Sequence, residues 1–153
     1  MRYINVVAQL LLAILFTAML VVGALQVFNR FFLNVSLSWS EEFQKFAFVW
    51  LVFIAIPLGY LRNAHLCVDV IVSLFPNALR RTIAFVIDVM WLALGIAFVT
   101  LTWRLMGVAQ YQQSAGLGIS MAWVYGGMAL GGAYLALAAV TRILDVLRGK
   151  VTP

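Results

Sequence analysis

This 153-residue chain has little that a water-soluble protein needs. Only 10% of its residues are charged, against the roughly quarter of an ordinary domain. That is too little charge to cover a water-facing surface, and it excludes both a soluble globular enzyme and a disordered chain. Cys67 is the only cysteine, so no internal disulfide and no cysteine cluster for zinc or iron–sulfur can form. His65 is the only histidine, which removes bis-histidine haem and multi-histidine metal sites within the chain. No cofactor is expected. Proline is scarce as well, with three in all, and none falls in the first, third or fourth apolar run.

Apolar residues make up 65% of the chain. One pass across the hydrocarbon takes about 20 such residues, so the length allows about four passes with short loops. The sequence supplies four runs, at 4–28, 43–61, 82–103 and 119–141. The expected fold is an all-α integral membrane protein, a single four-helix membrane domain over 1–153. The first run is far longer than the ~7–15 apolar residues of a signal peptide. Between the second and third runs, Arg62, His65, Asp69 and Ser73 fall on one helical stripe flanked by Leu66, Val70, Leu74 and Phe75. This predicts an amphipathic segment over about 62–76 lying in the cytoplasmic interface.

Orientation follows from Lys and Arg in the connections. With four passes, Arg2, Arg62, Arg80, Arg81, Arg142, Arg148 and Lys150 share one side, and Arg30, Lys45 and Arg104 the other. Seven against three puts both termini in the cytoplasm. Trp39, Trp103, Tyr111 and Trp123 then mark the outer interface.

Few residues are candidates for chemistry. Ser38-Trp39-Ser40-Glu41 has the spacing of a capping box, with Ser38 as N-cap and Ser40 as the alternative. Glu41 and Glu42 read as a helix cap and surface contact within reach of Lys45, in preference to a paired acid–base site. His65 and Asp69, one turn apart, read as a structural hydrogen bond in preference to a proton relay. Asp88 is the costliest group to bury, and a carboxylate inside a pass is a functional candidate by default. Its shallow depth also lets it meet cytoplasmic arginines, Arg81 at i−7 among them, or a partner chain. Gly127-x-x-x-Gly131 has the spacing that lets helices approach closely, within the chain or toward another subunit.

Three stretches together resemble a known family. They are Asn29-Arg30 with Ser38-Trp39-Ser40-Glu41-Glu42 and Val49-Trp50-Leu51; Gly59-Tyr60-Leu61-Arg62-Asn63-Ala64-His65-Leu66-Cys67-Val68-Asp69; and Gly118-Ile119-Ser120-Met121-Ala122-Trp123-Val124-Tyr125. The chain resembles the small four-helix membrane subunit of tripartite ATP-independent periplasmic (TRAP) transporters, the DctQ-like subunit. Ser120 stands where many relatives have proline. The resemblance implies a scaffold subunit and no enzymatic activity. Its implied partners are a large DctM-like permease that carries substrate and sodium, a periplasmic binding protein that delivers an organic acid, and membrane lipids. Two other readings stay open: the small subunit of a tricarboxylate-type transporter, and a self-contained dimeric transporter using Asp88.

Overall fold

The computed structural model describes residues 2–35, 37–62 and 77–147. Four helices account for nearly all of them: α1 (Arg2–Phe32), α2 (Ser38–Leu61), α3 (Asn77–Ala109) and α4 (Met121–Leu147). Each is long and apolar enough to cross a membrane. The helices run past the apolar stretches at most ends, by up to six residues, because a helix does not stop where the hydrocarbon does. Its terminal turns pass through the interface, where water and headgroups receive the free backbone groups. The predicted amphipathic segment, with His65 and Asp69, lies outside the described residues.

α1 stops where Asn34 takes a left-handed backbone conformation (φ 54°), which asparagine tolerates better than most residues. The Asn29 carbonyl then accepts from the N–H groups of Leu33 (3.1 Å) and Val35 (3.2 Å). α2 opens differently from the predicted capping box. Leu37 occupies the N-cap position with no side-chain cap, and Ser40 turns its hydroxyl back onto the Leu37 carbonyl at 2.7 Å. Ser38 therefore lies inside the helix, and the carboxylates that follow are released for other partners. Ser120 takes the capping role in α4, its Oγ accepting from the Ala122 N–H at 3.3 Å.

α4 is the hub. It packs most extensively on α3 and then on α2, while α1 packs along α2. Lipid tails are as apolar as leucine, so helices in a membrane associate through close packing instead of hydrophobic exclusion. Glycine makes that packing possible here. A Cβ on Gly127 would meet the Trp50 ring at 2.8 Å, and one on Gly132 would meet Phe98 Cβ at 2.7 Å. One on Gly95 would meet the Ala136 backbone nitrogen at 2.7 Å. Gly131 is seated against the Phe53 carbonyl. That carbonyl is the one Pro57, four residues on and without an N–H, leaves unpaired in α2. A neighbouring helix thus covers the gap that the proline makes, as membrane helices require.

Two buried clusters result. Tyr60, Leu135, Ala138 and Ala139 join α2 to α4 beneath Trp91 and Leu92 of α3. Ala8, Ile54 and Leu58 join α1 to α2, with Trp50 and Tyr134 beside them. Tyr134 also donates to Asn5 Oδ1 at 2.8 Å, tying α4 to the start of α1. The lipid-facing sides of α1 and α3 remain bare: Leu10, Ile14, Val21, Met90 and Leu101 are all exposed.

Candidate functional site

Polar groups gather at the two ends of the bundle. At the end where α2 begins and α3 stops, the connection 110–120 folds back on itself. Ser114 N–H donates to the Ile119 carbonyl (2.9 Å), Gly118 N–H to the Ser114 carbonyl (3.0 Å), and Gln113 bridges Ser120. Gly118 sits at φ 66°, which a glycine adopts without cost. The resulting small loop presents three donors to one carboxylate oxygen. Glu42 Oε2 accepts from Ser114 Oγ (2.6 Å), Gly116 N–H (2.8 Å) and Leu117 N–H (3.0 Å). Successive backbone N–H groups aimed at one point form an anion-binding concavity, and here the anion comes from the chain itself. Gly116 is needed for closeness: a Cβ there would lie 3.0 Å from Glu42 Oε2 and 3.2 Å from Trp39 Cα.

Glu42 therefore clasps α2 to the α3–α4 connection, which corrects the expectation of a contact with Lys45. Among the described residues, Lys45 pairs with neither glutamate. Glu41, the preceding residue, is exposed and lines a cleft with Gln26, Arg30 and Asn34 instead of meeting the loop. Trp39 is half-buried under the loop, whereas Trp103, Tyr111 and Trp123 are exposed. Trp50 reaches the same end of α4, donating its Nε1–H to the Trp123 carbonyl at 3.2 Å.

At the opposite end, Asp88 is buried at 2% exposure, and its partners come from two other helices. Oδ1 accepts from the Tyr60 hydroxyl of α2 at 2.7 Å and lies 3.3 Å from Arg142 Nε of α4. The Arg142 guanidinium also donates to the Tyr60 carbonyl (3.4 Å) and sits 5.2 Å above the Tyr60 ring. Trp91 packs against the same ring, tilted, with centroids 5.5 Å apart. One carboxylate, one phenol and one guanidinium thus fasten α2, α3 and α4 at a single point. Of the arginines expected near Asp88, the partner is Arg142; the side chain of Arg81 lies outside the described residues.

Gly127 and Gly131 face α2 inside the chain, against Trp50 and Phe53. Arg62 ends α2, its N–H donating to the Leu58 and Gly59 carbonyls, and its side chain is exposed. Three participants escaped the sequence reading, Tyr60, Ser114 and Gly95, and Arg142 stood in it only as one of several cytoplasmic arginines. For Ser114 a signal was present in Ser114-Ala115-Gly116-Leu117-Gly118, a small-residue run suited to exposing backbone N–H groups. Tyr60 and Arg142 carry none, because their meeting depends on how α4 crosses α2. Among the described residues, no group of three or more His, Cys, Asp or Glu side chains is placed to hold a metal.

The family model for the DctQ component of tripartite ATP-independent periplasmic transporters matches residues 19–149. A putative TRAP transporter small permease protein of Haemophilus influenzae is 30% identical over 71% of this chain and 67% of its own length. The C4-dicarboxylate TRAP transporter small permease protein DctQ of Vibrio cholerae is 28% identical over 67% of this chain, and the match spans 44% of that protein. The sialic acid TRAP transporter permease protein SiaT of another H. influenzae strain is 26% identical over 82% of this chain, a match that takes up 20% of SiaT. A multi-pass chain with four membrane-spanning helices, matched over most of its length by this family, belongs to the DctQ family of TRAP transporter small permease subunits.

Proposed function

We propose that this chain is a static brace for a large, DctM-like permease in a bacterial inner membrane, with both termini in the cytoplasm. In this reading the permease moves an organic acid together with sodium, and a periplasmic binding protein delivers the acid. The observation that carries the proposal is the state of Asp88. Among the described residues it is the acid buried inside the bundle, and its carboxylate is taken up by Tyr60 and Arg142. An ion or solute site in a secondary transporter usually needs broken helices near the midplane, with backbone ends turned to the ligand. Here the carbonyl that Pro57 leaves without a helical partner, at Phe53, is covered by Gly131.

Further support comes from SiaT, where a segment similar to this chain makes up a fifth of a protein named as a permease. A segment that can share a polypeptide with the permease is suited to lying permanently against it. The exposed apolar sides of α1 and α3 offer surface for such a partner and for lipid. The family match favours this role over the tricarboxylate-type accessory. A self-contained dimeric transporter would need Asp88 open to cargo, and the clasp closes it.

Co-purification with the large permease tests the assembly. The two chains are expected to elute together from detergent, and Asp69→Ala to weaken that complex more than it weakens the encounter with the binding protein. Separate elution of the wild-type chains would contradict the proposal.

A further inference from the structure

We propose that the cleft between the end of α1 and the start of α2 binds the headgroup of an aminophospholipid. The cleft has a volume of about 460 Å³ and is lined by Gln26, Arg30, Asn34, Val35, Leu37 and Glu41. It differs in kind from the grooves along the helices. The groove on α1 between Leu10 and Val22 and the one on α3 between Ile87 and Ala97 are lined almost wholly by apolar side chains. This one carries a cation, an anion and two amides.

Arg30 and Glu41 are both exposed, and among the described residues neither has an ion-pair partner. Opposite charges held apart on the walls of one cleft are complementary to a zwitterion. A guanidinium is suited to a phosphodiester, which it can grip with two parallel N–H donors. A carboxylate is suited to a primary ammonium. Gln26 ties this wall to α2, its Oε1 accepting from Gln44 Nε2 at 3.4 Å. The position is also that of a headgroup: the cleft lies where two membrane-spanning helices end and begin. Phe28, Phe31 and Phe32 are exposed beside it on α1, an apolar surface for the acyl chains. A lipid with an anionic, ammonium-free headgroup would satisfy Arg30 and leave Glu41 facing negative charge.

The test is native mass spectrometry of the full chain in detergent, titrated separately with phosphatidylethanolamine and phosphatidylglycerol. Phosphatidylethanolamine is expected to be retained at roughly tenfold lower concentration, the preference that one extra favourable charge contact of ~1.4 kcal/mol supplies. Arg30→Gln is expected to weaken both lipids. Glu41→Gln is expected to erase the preference while leaving phosphatidylglycerol binding in place. Arg104→Gln, which removes another exposed arginine, is expected to leave the preference intact. Thermal melts of the three variants that match the wild type exclude misfolding as the cause. Equal retention of the two lipids by the wild type, or a preference unchanged in both cleft variants, would overturn the proposal. So would phosphoethanolamine without acyl chains competing as tightly as the lipid, which would point to a soluble ligand.

Discussion

The two ends of this bundle are both fastened through a carboxylate, and they are built in opposite ways. Asp88 lies inside the protein and is met by side chains from two other helices. Glu42 lies near water and is met mainly by backbone N–H groups of one loop. Loss of a partner at the inner clasp strands a charge in a medium that cannot solvate it. Loss of the outer carboxylate leaves donors on a loop whose Gly116 is exposed to water. The inner clasp therefore governs whether three helices stay together, and the outer one governs the shape of a loop.

The largest effect is expected at the inner clasp. Arg142→Met leaves the Asp88 carboxylate unpaired and is expected to cost about 3 kcal/mol, seen as a lower unfolding midpoint in detergent. Adding Asp88→Leu is expected to restore most of that loss, since replacing a whole buried pair by apolar side chains is often close to neutral. If the double variant is as unstable as the single one, the clasp is more than a charge pair.

The glycine seam between the ends comes next. Gly131→Ala drives a methyl group into the Phe53 backbone, and the expected cost is about 2 kcal/mol because a backbone cannot step aside as a side chain can. Gly107→Ala on α3 meets nothing within 4 Å and is expected to be neutral or slightly stabilising by the same melt. Similar melts for the two would show that α2 and α4 are not in close contact.

The smallest global effect is expected at the outer clasp. Glu42→Ala should leave the melting temperature nearly unchanged while amide exchange at Gly116 and Leu117 accelerates. An equal fall in melting temperature at both clasps would erase the distinction between the ends.

The sequence disclosed a good deal of this, unevenly. Apolar run length and the scarcity of charge are enough to specify four membrane helices, because the hydrocarbon thickness sets one length for every pass. The family was legible in short polar motifs at the ends of those runs. Asp88 and Glu42 were legible as unusual residues, and their partners were not. Arg142 and Ser114 lie 54 and 72 residues away along the chain, and one sequence contains no measure of how helices cross. The capping-box spacing at Ser38 misled for a related reason. The pattern is local, whereas the helix start is set by Ser40 turning back onto Leu37 and by the loop that Glu42 captures. Gly127 and Gly131 announced a close approach, and what they meet lies on another helix: the Trp50 ring and the Phe53 carbonyl that Pro57 frees. Spacing along one helix cannot register that event.

The central claim is that this chain braces a carrier and does not carry. Uptake of radiolabelled organic acid into liposomes tests it most directly, comparing the chain alone with the chain plus its large permease and binding protein under a sodium gradient. No uptake is expected from the chain alone, and sodium-dependent uptake is expected once all three are present. Saturable uptake by the chain alone, lost in Asp88→Asn, would contradict it.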